Sequence, residues 1–343
     1  MKRRMPVEIV GGGLCGLALG LALRRAGVPV TLFEASGFPR HRVCGEFISG
    51  LDERTAESLG AREFLSDAHP HRSVTYHLRG RPLRPFTLPA AALGISRHTL
   101  DARVAAAFVA AGGDLRTNTR APEDEAPPGR VFAVGRKRKG PFWVGLKVHV
   151  RNLPLVNDFE VHLGERCYVG LSRIEDGAVN VCGIFAPQEH PRRGVELLLS
   201  YLESAGLAEL AARLRSAEPD PGSFCATAAT LGDWRIPNSG RVRVGDACAT
   251  IPPFTGNGLA MALQGAAMAV EPLLAYASGD AGWEETAGRI SSAQRARFRR
   301  RLALAALMHP FFLERRRQTW LAAAVGSQLI PFSAFYAALR SGS

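Results

Sequence analysis

Val7 to Ala35 reads VEIVGGGLCGLALGLALRRAGVPVTLFEA, and the order of residue types in it specifies one supersecondary unit. Val7, Ile9 and Val10 form a short apolar run suited to a strand buried on both faces. Gly11, Gly13 and Gly16 follow as G-x-G-x-x-G, Leu17, Leu19, Leu21 and Leu23 read as a helix, and Val28–Phe33 reads as a second strand ending at Glu34. The three glycines act differently, since Gly11 makes the tight turn, Gly13 lets backbone approach a pyrophosphate, and Gly16 lets the helix close on the strand. Glu34, eighteen residues past Gly16, is placed to accept hydrogen bonds from both hydroxyls of a ribose. Strand, turn, helix, strand and acid in register predict a Rossmann-like dinucleotide-binding unit. The acid favours an unphosphorylated adenosine ribose, as in FAD or NAD.

A second stretch chooses between those two. In VGDACATIPPFTGNGLAMAL, Val244 to Leu263, a strand-like run ends in Gly245-Asp246, a Pro/Gly-rich turn follows, and a nearly uncharged helix begins at Asn257–Gly258. The pair of fingerprints resembles those of the glutathione-reductase-like and aromatic-hydroxylase-like flavoproteins. That resemblance implies FAD, with Asp246 on the ribityl chain and Gly256, Asn257 and Gly258 letting backbone approach the isoalloxazine. A helix N-terminus carries roughly half a positive charge and free N–H groups, which suits the N1–C2=O edge of a reduced flavin.

Three further stretches carry the same resemblance. In RVFAVGRKRKG the apolar strand Val131–Val134 runs into Gly135-Arg136, which looks like the A-x-G-R/K element before the crossing into a substrate domain. ISRHTLDARVAAAFVAAGGDLRTNT predicts a helix from His98 to Ala111 closed by Gly112-Gly113, and its opening resembles S-R-x-x-L-D, which implies Arg97 near the flavin or its phosphates. Arg40 and Arg42, just past Glu34, are further phosphate-facing candidates. RHRVCGEFISGLDERTAESLG resembles the geranylgeranyl-reductase-like branch of the aromatic-hydroxylase superfamily, which implies Cys44 and Glu46 beside the reactive ring as catalytic residues.

PFWVGLKVHV, DFEVHLG, RCYVGLSRIEDG and AVNVCGIF show period-two patterning and predict an antiparallel sheet covering a pocket. The expected architecture is α/β: a discontinuous FAD-binding domain (1–68, 95–138, 225–285), an inserted antiparallel substrate domain (69–94, 139–224) and a C-terminal helical region (286–343).

Composition narrows the rest. With 343 residues and 46% hydrophobic content the chain can bury one large core or two smaller ones. The net charge of +12 is spread along the chain, with lysine only at positions 2, 137, 139 and 147, and no nucleic-acid module accompanies it. Six cysteines without a CxxC pair read as reduced thiols in a cytoplasm, and MKRRM is too short for a signal peptide. Trp320–Leu339 is of membrane length but interrupted by Ser327, Gln328, Pro331 and Ser333; it reads as packed terminal helices, with peripheral contact to an anionic membrane as the alternative. No HExxH occurs and no metal is expected. No lysine lies between Lys2 and Lys137 and DWRIP has one tryptophan, which argues against flavin halogenation.

These readings converge on an FAD-dependent oxidoreductase acting on an apolar or aromatic small molecule. A flavin monooxygenase is the first expectation, a double-bond reductase the alternative, and a non-catalytic FAD-binding protein the third. No second G-x-G-x-x-G is available for a nicotinamide, so NAD(P)H visits transiently or a reducing partner supplies electrons.

Overall fold

The computed structural model describes residues 4–122, 124–135, 142–189, 191–231, 236, 241–326 and 332–340. Arg136 with the basic run after it, and most of Asp233–Pro237, lie outside those residues.

The chain opens with β1 (Val7–Val10), α1 (Leu14–Arg25) and β2 (Val30–Phe33). It continues through β3 (Phe47–Ile48), α2 (Glu53–Ser58), β4 (His69–Leu78), β5 (Arg81–Pro82), β6 (Phe86–Gly94), α3 (Arg97–Ala110), β7 (Asp114–Arg116) and β8 (Arg130–Phe132). Next come β9 (Phe142–Arg151), β10 (Phe159–Gly164), β11 (Cys167–Arg173), β12 (Val179–Phe185), α4 (Gly194–Ser204), α5 (Ala208–Arg215), β13 (Glu218–Thr230) and β14 (Val242–Arg243). The chain closes through helices α6 (Gly258–Ser278), α7 (Trp283–Met308), α8 (Pro310–Leu313), α9 (Arg315–Gly326) and α10 (Phe332–Ala338).

Two sheets organise these elements. The first has the order β14-β8-β1-β2-β7 among the described residues, and every pairing in it is parallel. Its strands read as apolar runs because helices cover it: Ile9, Leu17, Leu21, Phe108, Val131, Val244 and Ala266 share one buried cluster. Gly16 and Gly20 let α1 close on this layer, and a Cβ on Gly20 would press on the Phe108 ring at 3.0 Å. The second sheet runs β13-β9-β12-β11-β10-β4-β6-β3 with β5 on β4; only β10–β4 is parallel.

Alternation gives the second sheet two different faces. Leu146, Val148, Leu171 and Val181 bury under Leu198, Leu202 and Leu210 of α4 and α5. Elsewhere Val74, Val161, Leu163 and Tyr168 join Phe47, Phe312 and Tyr336 in a separate cluster towards the first domain and the C-terminal helices.

Boundaries differ from expectation in ways that local chemistry explains. The helix expected at His98 starts at Arg97, because Ser96 caps it by accepting the Thr99 N–H at 3.0 Å. The second sheet extends past residue 224, since β13 stays paired with β9 through Thr230. Among the described residues, one helix is long and apolar enough to cross a membrane, α6, which is mostly buried as a core helix; the 320–339 stretch is carried by α9 and α10, with 327–331 outside the described residues.

Candidate flavin site between the two sheets

The first glycine turn is built by crowding. Gly11 has φ +114 and lies against the Ala133 carbonyl, while a Cβ on Gly16 would overlap the Gly11 carbonyl. Gly13 is different: its backbone is extended, the nearest atom to an added Cβ is Arg97 Nη2 at 4.0 Å, and it caps α1 with no side-chain bond. The N-terminus of α1 therefore presents its amides to open space.

Glu34 closes the adenosine end of this turn. Its buried carboxylate accepts the Gly12 N–H at 2.8 Å and the Ser36 N–H at 3.0 Å. Arg40 lies on the same carboxylate at 2.7 Å, and Arg42 bridges it at 3.6 Å to Asp101 at 3.3 Å. Arg40 thus reaches the acid of the turn rather than standing over the glycines. Its Nε is a buried donor with no hydrogen-bond acceptor, and Arg42 Nη2 has Glu34 only at ion-pair distance, as a site for an anionic, hydroxyl-rich group would leave them. Arg97 forks onto Asp101 with two 2.7 Å bonds and also reaches Cys44. Burial opposes its charge, but Asp101 more than offsets this and raises its pKa.

The second fingerprint lies against the first. Gly245 (φ +60) would meet Cys15 Cβ at 2.9 Å if it bore a Cβ, and Asp246 next to it is exposed. Burial, then the Asp246 charge, pushes the Cys15 thiol up, so this cysteine is an inert wall of the turn. Beyond Pro253–Thr255, Gly256 has φ +65 and an added Cβ there would come within 2.9 Å of the Phe47 ring, while one on Gly258, first residue of α6, would meet nothing within 4 Å. Asn257 does not cap α6; its amide donates to the Leu339 carbonyl at 2.7 Å, so only its backbone faces the open turn. Two uncapped helix N-termini, an exposed acid and orphaned arginine donors fit FAD laid from Glu34 to Gly258. Gly135, after β8, has φ +75 with open space around it.

The loop from Arg40 to Phe47 spans both turns. Its carbonyls are held from the second sheet, Gly45 by Ser172 Oγ at 2.8 Å and Cys44 by Asn180 Nδ2 at 3.0 Å. Burial pushes the Cys44 thiol up, with Arg97 opposing, so Cys44 stands as a neutral thiol. Glu46 holds a left-handed backbone at φ +50, which costs a non-glycine residue of order 1 kcal/mol or more. That strain turns its side chain inward. Glu46 Oε1 accepts the Arg97 N–H at 2.9 Å, at the positive end of α3, and lies 3.3 Å from Lys147 Nζ; Oε2 meets His149 Nε2 at 2.6 Å.

Lys147 in turn contacts His41 Nδ1 at 3.1 Å, and the His41 ring stacks on His98 at 4.4 Å and meets His149 edge-on at 5.1 Å. Lys147 and Glu46 are both 0% exposed, whereas His41 and His98 are half-buried. Burial first, then Lys147, lowers the His41 pKa to about 4, so its ring is neutral at ordinary pH. Sequence reasoning missed His41, His98, Lys147 and His149. A signal existed: in GLKVHV, Lys147 and His149 are two residues apart on a strand and so share a face.

Beside Gly256 an apolar cavity is lined by Phe47, Val74, Tyr76, Phe159 and Phe254 and closed by Arg340. Arg340 reaches Ser49 Oγ at 2.6 Å and the Thr255 carbonyl at 2.7 Å and lies over the Tyr336 ring, so the chain's last described turn forms one wall.

On the second sheet away from this loop, Glu160 meets His162 at 2.8 Å and Arg213 at 3.0 Å, with His77 at 3.8 Å. Burial opposes the Glu160 charge, but His162 and Arg213 hold its pKa down to about 2. The in-register pairing of β4 with β10 brings His77 to His162, with ring centroids 4.2 Å apart.

Comparisons with known proteins match this fold. The profile of NAD(P)-binding Rossmann-like domains matches residues 9–74. A menaquinone reductase from Mycolicibacterium smegmatis is 27% identical over 139 residues, 39% of this chain and 34% of the relative, so the match spans about a third of that relative's length. Among solved structures, p-nitrophenol 4-monooxygenase from Pseudomonas putida superposes with a TM-score of 0.75 at 15% identity, covering 100% of both chains. A geranylgeranyl bacteriochlorophyll reductase-like protein from Thermoplasma acidophilum gives 0.73 at 18% identity, covering 98% of this chain and 96% of that one. The chain has the two-domain fold shared by flavin monooxygenases and geranylgeranyl-reductase-like proteins, with a Rossmann-like first domain and a helical C-terminal region.

Proposed function

We propose that this chain is an FAD-dependent oxidoreductase that reduces a carbon–carbon double bond in an apolar substrate, reacting where the Cys44–Phe47 loop meets Gly256. The observation that carries this reading is the fully buried Glu46–Lys147 pair behind the loop whose Phe47 lines an apolar cavity. A double bond needs a hydride at one carbon and a proton at the other, and this pair stores a proton out of water. Bound FAD would supply the hydride, received from NAD(P)H or a reducing partner.

The residues divide the work. Glu34 takes the ribose, the α1 amides and Arg97 take the pyrophosphate, Asp246 takes the ribityl hydroxyls, and the α6 N-terminus takes the electron-rich edge of the ring. Cys44 and Glu46 bound the reacting face, and the cavity aromatics exclude water from the substrate.

The reading is tested with a menaquinone carrying a short isoprenoid side chain, chosen because the matched relative is a menaquinone reductase. After incubation with protein, FAD and NADPH or NADH, the product is reoxidised in air and weighed by mass spectrometry. Two hydrogens retained after reoxidation mean a reduced double bond; recovery of unchanged quinone refutes the substrate. Hydroxylation is the second reading, favoured by the superposition on p-nitrophenol 4-monooxygenase. It requires a product carrying one atom from labelled dioxygen.

A further inference from the structure

The geometry points to a proton relay in which Lys147 is the reservoir for Glu46 and is refilled from solvent through His41. The assignment rests on the reductase reading for its direction, because there the protein must give a proton.

Several observations make this more than a buried ion pair. A lysine at 0% exposure is costly unless compensated, and a well-packed apolar pair serves a fold as well or better. Here the ammonium has two acceptors: Glu46 Oε1 at 3.3 Å and His41 Nδ1 at 3.1 Å. His41, His98 and His149 are half-buried, and of these His41 is the one in contact with the Lys147 ammonium. The backbone strain at Glu46 points its carboxyl to the inner end of the relay, where His149 and the Arg97 N–H fix its orientation.

The steps balance. Lys147 Nζ–H breaks as Glu46 Oε1–H forms, leaving a neutral amine and a neutral acid. Glu46 then gives that proton to the carbon carrying the electron pair left by hydride addition and returns to carboxylate. At rest His41 is the Nε2–H tautomer, its Nδ1 accepting from the ammonium; once the amine is neutral, His41 exchanges through solvent to its Nδ1–H tautomer, gives that hydrogen to the amine and takes one from water at Nε2, which restores the resting state. The net input is one solvent proton per double bond, with the hydride coming from the reduced flavin.

The groups facing His41 are Lys147 and His149 on β9, His98 on α3 and Glu46 on its own loop. Two measurements test the relay. In the first, histidine resonances of FAD-loaded protein are titrated by NMR. His41 is expected to stay neutral to about pH 4 and to move towards the ordinary range in Lys147→Met, or in Glu46→Gln/Lys147→Met if the single variant folds poorly. In the second, His41→Ala lowers reduction of the short-chain menaquinone about tenfold or more, and added imidazole restores it.

A His41 titration unmoved by loss of Lys147 overturns the relay, and so does a slow His41→Ala that imidazole leaves slow. If wild-type protein leaves the quinone unchanged but the titrations couple as stated, the substrate reading fails and the relay stands.

Discussion

A Cβ placed on Gly245 would come within 2.9 Å of Cys15 Cβ, so the second glycine–acid turn lies directly on the helix that follows the first. Residues 230 positions apart in sequence thereby form one continuous cleft edge, from Glu34 past Gly13 to Asp246 and Gly258. One extended dinucleotide can touch all four.

Gly13→Val separates binding from folding. Gly13 has extended backbone and 4.0 Å of clearance, so valine fits the protein and takes only the space a pyrophosphate needs. The purified variant is expected to keep its melting temperature and lose FAD, read as flavin absorbance per chain. Gly16→Ala is the contrast: its Cβ would overlap the Gly11 carbonyl, and it is expected to lower the melting temperature itself.

Asp246→Ala should weaken FAD binding about tenfold or more, the loss of a charge-assisted hydrogen bond. Asp246 is exposed and caps no long helix, so circular dichroism should not change. A titration giving the wild-type dissociation constant would remove Asp246 from the site.

Cys44→Ala is expected to stay yellow and folded while kcat/KM falls, because the proposed reading puts the thiol beside the reacting space without a part in holding the cofactor. Glu46→Gln behaves differently, since it strips the counter-charge from fully buried Lys147 and should cost several kcal/mol of stability. Glu46→Gln/Lys147→Met should recover much of that melting temperature and none of the turnover.

Acid stability reports the Glu160 cluster. Its folded pKa, about 2, lies below the ordinary 4.5, so the charged carboxylate stabilises the fold above the unfolded value. That contribution, roughly 3 kcal/mol, is lost as pH falls from about 4.5 through about 2. Glu160→Gln should flatten this part of the stability–pH curve, measured by urea unfolding, and lower stability at neutral pH.

The βαβ unit was legible in sequence because its determinants are local. Glycine spacing, an apolar strand and a terminal acid act within thirty residues, and the chain has no other way to satisfy them together. The period-two strands of the second sheet were legible for the same reason. β13 was not, because EPDPGSFCATAAT carries two prolines and no period-two apolar pattern and is a strand through its pairing with β9. The proton network was invisible as a group: His41, Glu46, His98, Lys147 and His149 come from a loop, a helix start and a central strand, each ordinary where it stands. Only the docking of the loop on the second sheet brings Glu46 to Lys147, and only then does burial make their charges depend on each other. The wall that Arg340 and Tyr336 add to the cavity is of the same kind, since nothing in a C-terminal apolar run says which turn it will pack against. Sequence by itself determined the cofactor cleft, whose chemistry is written in turns; tertiary structure alone decided what faces it, because that depends on contacts between distant segments.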